Sequence, residues 1–534
     1  MKRKSHSWPA ALYAGAVAGT LGLILVLRLN PDIQAGMRTF FLGVPLWMSW
    51  GAFMVGVPFG LTTFVLRRPA ARRGLGIGEL VASLLVVTFV VGALLSWINA
   101  EIHPEFLSTT GRRQLLQDSV IWFGGAILVM TFAWLWRKFG RRRSYAAVVL
   151  PLAALLPIMR LMGEPTSFQA RTAVEVSPLG QPSRTLMVCG VEGLDSTVLM
   201  THAAGRFHPH LDLFLEQGAW GSTDPFLPFL DLAHWTTLAT GTLPRRHGVM
   251  FRVGWQYPTA FDGTLRLLPW TPQGSRLFLA WDRGRSTAPP YSTIPPLWQR
   301  LISSGVPTFA LDWPGQWNAG AAVQKGPMKI GPWRSAPAAQ EALEALLAET
   351  FPGESRLILR MLDQDRARVD EAVAAIEGGS RDVWLVLRGL AEVRRQLEPH
   401  RPRDAGRREV MALVVELLDS HLGRLLNVMP DDGLAAVVSP YGLAPPDAAE
   451  RLRRLLGVGG DWRASAQTCP DGVLLLMGDG VVAGERFSPV RLEDMAPTIC
   501  YLLDLPLAQY MEGRVILDAI DPDWLRDHPL RVVE

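Results

Sequence analysis

Five long apolar runs lie before residue 165, and the remainder of the 534-residue chain has none of comparable length. They fall at roughly 9–29, 40–66, 79–98, 119–136 and 145–162. Each is close to the ~20 residues a helix needs to cross a bilayer. Lipid offers backbone polar groups no hydrogen-bond partners, so such runs can only be helices. The pattern predicts about five transmembrane helices within residues 1–164, a linker over 165–184 and a separate domain over 185–534. The first run follows MKRKSHSW and lacks a small-residue cleavage site, which reads as an uncleaved anchor.

Basic residues predict the orientation. Lys2, Arg3 and Lys4 precede the first run, and Arg67, Arg68, Arg72 and Arg73 follow the second. Arg137, Lys138, Arg141, Arg142 and Arg143 lie between the fourth and fifth. These three segments share one side, which the positive-inside rule makes cytoplasmic. The loops at 30–39 and 99–118 are less basic and carry Asp32, Glu101, Glu105 and Asp118. An odd number of spans puts the domain after about residue 165 outside the cytoplasm, so the expected location is the cytoplasmic (inner) membrane with a periplasmic or extracellular C-terminal domain. Trp8, Trp47, Trp50, Trp97, Trp122, Trp134 and Trp136 sit in or near the runs and read as interfacial anchors. No acidic residue or His lies deep inside a run, which argues against a transporter or channel.

The net charge of +4 is small for this length, and the basic residues cluster beside the apolar runs. With no nucleic-acid-binding motif, the expected partner is the bilayer and not nucleic acid. Cys189, Cys469 and Cys500 are odd in number and not in CxxC spacing. That excludes zinc-ribbon and thioredoxin-like readings and favours apolar packing.

Beyond the polar segment 163–184, short apolar runs alternate with helical patterns. Strands are predicted at Thr185–Cys189, 308–313, 382–389, 433–442 and 472–480, with helices at 409–427 and 491–503 among those between. This order predicts an α/β domain with a mainly parallel sheet flanked by helices, and a site at the strand C-terminal ends.

Four segments carry a more specific signal: VCGVEGLDSTVL, LFLEQGAWGSTDPFLPFLDLAHWTTLATGTLPRRHGV, PLWQRLISSGVPTFALDWPGQWNA and VRLEDMAPTICYLLDLPLAQYMEGRVI. In this order they resemble the alkaline phosphatase superfamily, in the branch of type I phosphodiesterases and nucleotide pyrophosphatases, over roughly 185–520. The resemblance implies an α/β alkaline phosphatase fold and two divalent metals, typically zinc, that activate a Thr or Ser nucleophile and stabilise the phosphoryl transition state.

The residues that the resemblance assigns to this chemistry are changed. Asp231 stands at the nucleophile position, four residues before Trp235. The family's G-x-D-G reads Gly190-Val191-Glu192-Gly193, so Glu192 replaces a ligand Asp. Ala391 and Arg395 occupy an Asp and His pair at i, i+4. The diagnostic S-D-H-G reads Ser439-Pro440-Tyr441-Gly442, and the last ligand position falls near Thr468. Remnant ligands are then Glu192 and Asp231, with losses at Ala391, Arg395, Pro440, Tyr441 and Thr468. Two carboxylates do not make a zinc centre, so no metal or other cofactor and no catalytic residue are expected. Two carboxylates left without metal need a countercharge, and Arg395 falls where it can supply one.

Other residues have plainer readings beside functional ones. His234 is a base or a packed side chain; His247 closes the turn; Thr236, Thr237 and Thr240 cap or pack the following helix. Asp419 and His421, at i, i+2 on a helix, do not face each other. Two functions stay open. One is a catalytically inactive, membrane-anchored subunit that binds or supports partners in a larger membrane complex. The alternative is an active, zinc-dependent phosphodiesterase, phosphatase or phospho-group transferase on extracytoplasmic or lipid-linked substrates.

Overall fold

A computed structural model describes residues 7–30, 33, 36–37, 39–72, 77–139, 178–202, 208–227, 229–250, 254–256, 264–265, 285–287, 292–314, 338–397, 405–443 and 470–533. The expected fifth run at 145–162, the first part of the linker, Arg141 to Arg143, Thr468 and Cys469 lie outside them. The chain divides into two compact units, Met1–Arg171 with Met250–Pro289, and Thr172–Val249 with Pro290–Glu534.

Among its described residues, the first unit has four helices long and apolar enough to cross a membrane, with spans Ala11–Leu29, Thr39–Thr62, Ala82–Ile102 and Thr109–Trp134. The first two touch backbone to backbone. A Cβ on Gly15 would stand 2.5 Å from Gly51 O, and one on Gly51 would stand 2.2 Å from Gly15 O. Gly51 and Gly56 are five residues apart, which a regular α-helix would place on different faces. The π-helical turn Ala52–Gly56 widens the spiral there, and both glycines meet the first helix.

Two expectations change in this unit. Asp118 is not in a loop: it lies within the helix Thr109–Phe139, is almost fully buried, and accepts from Arg28 Nε at 3.0 Å. Gln114 joins the same guanidinium at 3.3 Å. An opposite charge on the neighbouring helix is what allows a carboxylate inside an apolar bundle. Trp8, Trp97 and Trp134 are exposed as anchors should be, whereas Trp47, Trp50 and Trp122 are buried. Trp122 packs against Phe89 in the bundle core, so anchoring is not its role.

In the second unit an eight-stranded sheet forms the centre. Its strands are β1 (Leu186–Val191), β2 (Ala219–Asp224), β3 (Thr308–Leu311), β4 (Asp382–Leu387), β5 (Leu434–Tyr441), β6 (Asp471–Met477), β7 (Glu485–Arg486) and β8 (Val490–Arg491). The order is β7-β2-β6-β5-β1-β4-β3, with β8 also pairing β2. All adjacent pairs are parallel except the two that β6 makes, with β5 and β2.

Side chains alternate across this sheet. Met187, Cys189, Val191, Val383, Leu385, Ala435 and Val437 enter one apolar core; Leu186, Val188, Trp384, Val386, Ala436 and Val438 enter the other. Both faces are therefore covered, which is why the strands read as near-continuous apolar runs. Cys189 and Cys500 are buried and unbridged. Burial pushes the Cys189 thiol up and the Cys500 thiol up to about 12.

The helices that matter for the site are α1 (Pro209–Gln217), α2 (Asp231–Thr240), α3 (Ser355–Glu377), α4 (Gly389–Leu397), α5 (Ala405–Leu426) and α6 (Met495–Leu502). The pairing register of β1 with β4 and β5 matches Gly190 to Val386 and to Val438. The C-terminal ends of these three central strands thus lie at one sheet edge.

Candidate functional site

Glu192 directly follows β1, α4 follows β4 after the single residue Arg388, and Tyr441 ends β5. The parallel register therefore brings Glu192, the start of α4 and Tyr441 together. Glu192 N donates to Leu387 O at 2.9 Å, tying the loop after β1 to the end of β4. Gly190 lets the strand approach α2, since a Cβ there would stand 2.8 Å from the Trp235 ring and 2.9 Å from Val386.

Arg395, in the last turn of α4, donates from Nη2 to Glu192 Oε1, and Nη1 reaches Glu392 Oε2 at 3.4 Å. The pair is largely out of solvent, with side-chain exposures of 7% for Arg395 and 11% for Glu192. Burial works against the Arg395 charge, but Glu192 first, then Tyr441 and Glu392, more than offset it, so its pKa is raised.

Tyr441 is fully buried, and its phenol is pushed well above the usual range, first by burial and then by Glu192 and Asp231. The Tyr441 ring meets Phe229 edge-on at 4.5 Å and His234 at 5.7 Å, which ties the end of β5 to the first turn of α2. Asp231 is the first residue of α2 and is half-buried, and Leu232 N donates to its Oδ1 at 2.9 Å. Ala391 is fully buried on α4, and a Cβ on Gly193 would stand 3.2 Å from its methyl group. Pro440 precedes Tyr441 on β5, where its carbonyl accepts from Thr223 Oγ1 at 3.3 Å. Five of the singled-out positions, Glu192, Asp231, Ala391, Arg395 and Tyr441, thus share one neighbourhood.

The histidine of the turn packs. His234 is buried, its ring stacked on Phe226 at 4.1 Å, with Nδ1 2.7 Å from Leu230 O and Nε2 2.9 Å from Phe226 O. Burial lowers its pKa to about 4, so the ring is neutral and donates to one of these carbonyls at a time. His247 accepts from Val249 N at Nδ1 and meets Thr237 Oγ1 at Nε2, 3.0 Å away. Its pKa is lowered to about 3, mainly by burial. Thr236 and Thr240 donate to carbonyls one turn back, at 2.6 and 2.8 Å, which is packing and not N-capping. Asp419 faces away from His421 and holds the start of α1, accepting from His210 N and Leu211 N at 3.0 and 2.8 Å.

Three residues that sequence reasoning did not single out build the same edge. Asp365 of α3 accepts from Arg388 N and Gly389 N at 2.9 and 2.6 Å, fixing the N-terminus of α4. Its carboxyl is pushed up by burial, opposed by Arg368 and the two amides. Arg394 and Asp195 form a buried pair at 2.6 Å. No local pattern marks the three as part of this edge, because the partners that place them there lie 23 to 201 residues away.

The fit to a metal fails at these positions. A guanidinium that stays protonated stands at one position that the resemblance assigns to a ligand and holds the carboxylate at another. A methyl group stands at a third. Among the described residues, no group of three or more His, Cys, Asp or Glu is arranged to hold a metal ion.

The profile described as type I phosphodiesterase / nucleotide pyrophosphatase matches residues 186–487, more than half of the chain. The chain belongs to that family. Among solved structures, it resembles murine ectonucleotide pyrophosphatase / phosphodiesterase 5 at 12% identity, covering 60% of this chain and 95% of that one, with a TM-score of 0.33. It resembles the phosphonate monoester hydrolase of Silicibacter pomeroyi at 13% identity, covering 64% and 78%, with a TM-score of 0.36. For the alkaline phosphatase PafA the values are 11%, 65% and 100%, and 0.42. A search of the curated proteins finds no match. The family match and the sheet order agree on the expected α/β domain with a mainly parallel sheet flanked by helices.

Proposed function

We propose that this family member is catalytically silent and serves as a membrane-anchored structural or binding subunit within a larger membrane assembly. The observation that carries this reading is the Glu192–Arg395 ion pair. A family enzyme needs a carboxylate and an imidazole there for metal; this chain has a carboxylate already neutralised by a fixed cation. Asp231 adds negative charge where an anionic phosphodiester would have to approach, and a carboxylate cannot serve as the metal-bridging alkoxide. Charge and ligand chemistry thus both oppose the reaction. The domain over 185–534 is read as extracytoplasmic, with the N-terminus inside and the helices in the cytoplasmic membrane, on the strength of the basic loops. Partners are the bilayer and other membrane proteins, not nucleic acid.

The test is metal content and turnover of the full chain purified in detergent. The expected result is substoichiometric zinc and manganese, an unfolding temperature indifferent to EDTA, and no hydrolysis of bis-p-nitrophenyl phosphate. Stoichiometric metal with turnover abolished by Asp231→Ala would establish the alternative, an active metal-dependent phosphodiesterase, phosphatase or phospho-group transferase. Affinity purification from gently solubilised membranes tests the subunit role; a monomer without co-purifying membrane proteins would refute it.

A further inference from the structure

We infer that Arg394 is the positioning residue of this site, clamping the loop that carries Glu192 onto α4 and onto the end of β5. Its Nη1 donates to Gly193 O at 2.7 Å and to Asp195 Oδ2 at 2.6 Å. Its Nη2 donates to Leu443 O at 2.6 Å. Segments that follow β1, β4 and β5 are thereby joined through one planar fork, a geometry that a Lys ammonium cannot reproduce.

The surroundings are built to this clamp. Asp195 uses its other oxygen, Oδ1, to accept from Val198 N at 2.9 Å, so one carboxylate both holds Arg394 and starts the next helix. A Cβ on Gly442 would stand 2.6 Å from Asp195 Oδ2. Gly193 has φ +81°, and a Cβ there would stand 2.8 Å from Leu443. Both glycines keep the space that the Arg394 fork crosses, and Gly193 also takes a backbone conformation that other residues rarely adopt.

Neighbouring residues on a helix point about 100° apart. Arg395 therefore takes Glu192 while Arg394 takes Gly193 and Asp195 of the same loop and Leu443 just beyond β5. The two arginines grip one loop from two directions. The purpose assigned to the clamp rests on the metal-free reading: where a bound metal joins strand ends by its ligands, this chain joins them by guanidinium hydrogen bonds. The clamp's geometry does not depend on that reading.

The experiment is hydrogen–deuterium exchange with mass spectrometry on the detergent-solubilised full chain. Arg394→Met is expected to speed exchange at least tenfold in peptides covering 192–198 and 389–397. Peptides from α6 are expected to keep the wild-type rate. Arg394→Lys is expected not to restore protection, and Arg395→Met to leave 194–198 protected. Unchanged exchange in 192–198, or an equal rise across the whole domain, overturns the assignment. Should Arg394→Met not fold, Asp195→Asn keeps the helix cap and removes the charge; the same two segments are then expected to loosen, and no change there overturns the clamp. Metal content of the same wild-type sample reports separately: bound zinc with a loosened Arg394→Met loop would refute the metal-free reading and leave the clamp standing.

Discussion

Replacing Arg395 by Met tests whether the Glu192–Arg395 pair holds the site together. The two side chains are 7% and 11% exposed, so neither can be rescued by bulk water. Opposite charges about 4 Å apart attract by roughly 4 kcal/mol at an effective dielectric near 20. Removing one partner of a buried pair typically costs about 3–5 kcal/mol, because the other charge stays behind unpaired. Here Glu192 would be left without its counter-ion, and Glu392 would lose its contact as well. Arg395→Met is therefore expected to lose about 3–5 kcal/mol at pH 8. For a domain of about 350 residues that is a fall in unfolding temperature of roughly 4–7 °C. Unfolding can be followed by tryptophan fluorescence in detergent, since Trp235, Trp298, Trp313 and Trp384 pack ring against ring in the same unit.

The double variant gives the sharper reading: without the guanidinium, Glu192 keeps a largely buried charge with its counter-ion gone. Adding Glu192→Gln removes the orphaned charge and is expected to recover most of the loss. A loss below about 0.5 kcal/mol at pH 8, the scale of an ordinary surface change, would refute the reasoning. So would a double variant no more stable than Arg395→Met alone.

Three further outcomes follow from the same physics. Asp382 is fully buried on β4, accepts from Trp384 Nε1 at 2.6 Å, and burial pushes its carboxyl up to about 7. The folded state therefore keeps a proton between about pH 4 and pH 7 that the unfolded chain gives up, and stability drains away as pH rises through that range. Asp382→Asn should be neutral near pH 4 and stabilising above pH 7, with a ceiling of roughly 4 kcal/mol from a shift of about three units; thermal melts at the two pH values check it. In the membrane helices, Arg28→Ala or Asp118→Ala should each destabilise by about 2–4 kcal/mol, and the charge swap Arg28→Asp with Asp118→Arg should recover part of it, measured by denaturant unfolding in detergent. Gly190→Val should cost more than about 2 kcal/mol, read from the same melts, because its first added carbon already lies 2.8 Å from the Trp235 ring.

Most of the fold was legible because it rests on patterns that repeat within a few residues. The apolar runs marked the helices Ser7–Leu29 and Ile77–Ile102, and the runs at 382–389 and 433–442 marked β4 and β5 within two residues. Strand β2 escaped: AWGSTD is neither strongly apolar nor alternating, and it is a strand because β6, β7 and β8 pair with it. Asp118 escaped for a similar reason. A charge ended the apolar run on paper, while in the bundle its partner Arg28 sits 90 residues earlier.

The site divides along the same line. Glu192, Asp231, Ala391, Arg395 and Tyr441 could be named because each stands at a motif position with a short local frame. Arg394 and Asp195 could not, since their meaning comes only from segments brought together by the register of β1, β4 and β5. That asymmetry bears on function. A domain that had merely lost its metal ligands would leave buried carboxylates without compensation, at a cost of several kcal/mol each. In this chain the carboxylate at the family's first ligand position, Glu192, meets a guanidinium, and the loop beyond it meets a second. On the proposed metal-free reading, these ionic contacts hold the site as a rigid scaffold. It also predicts where tolerance ends: Arg394 and Arg395 should resist even substitution by Lys, while Asp231, half-buried at the start of α2, should accept Asn or Ser with little change in stability.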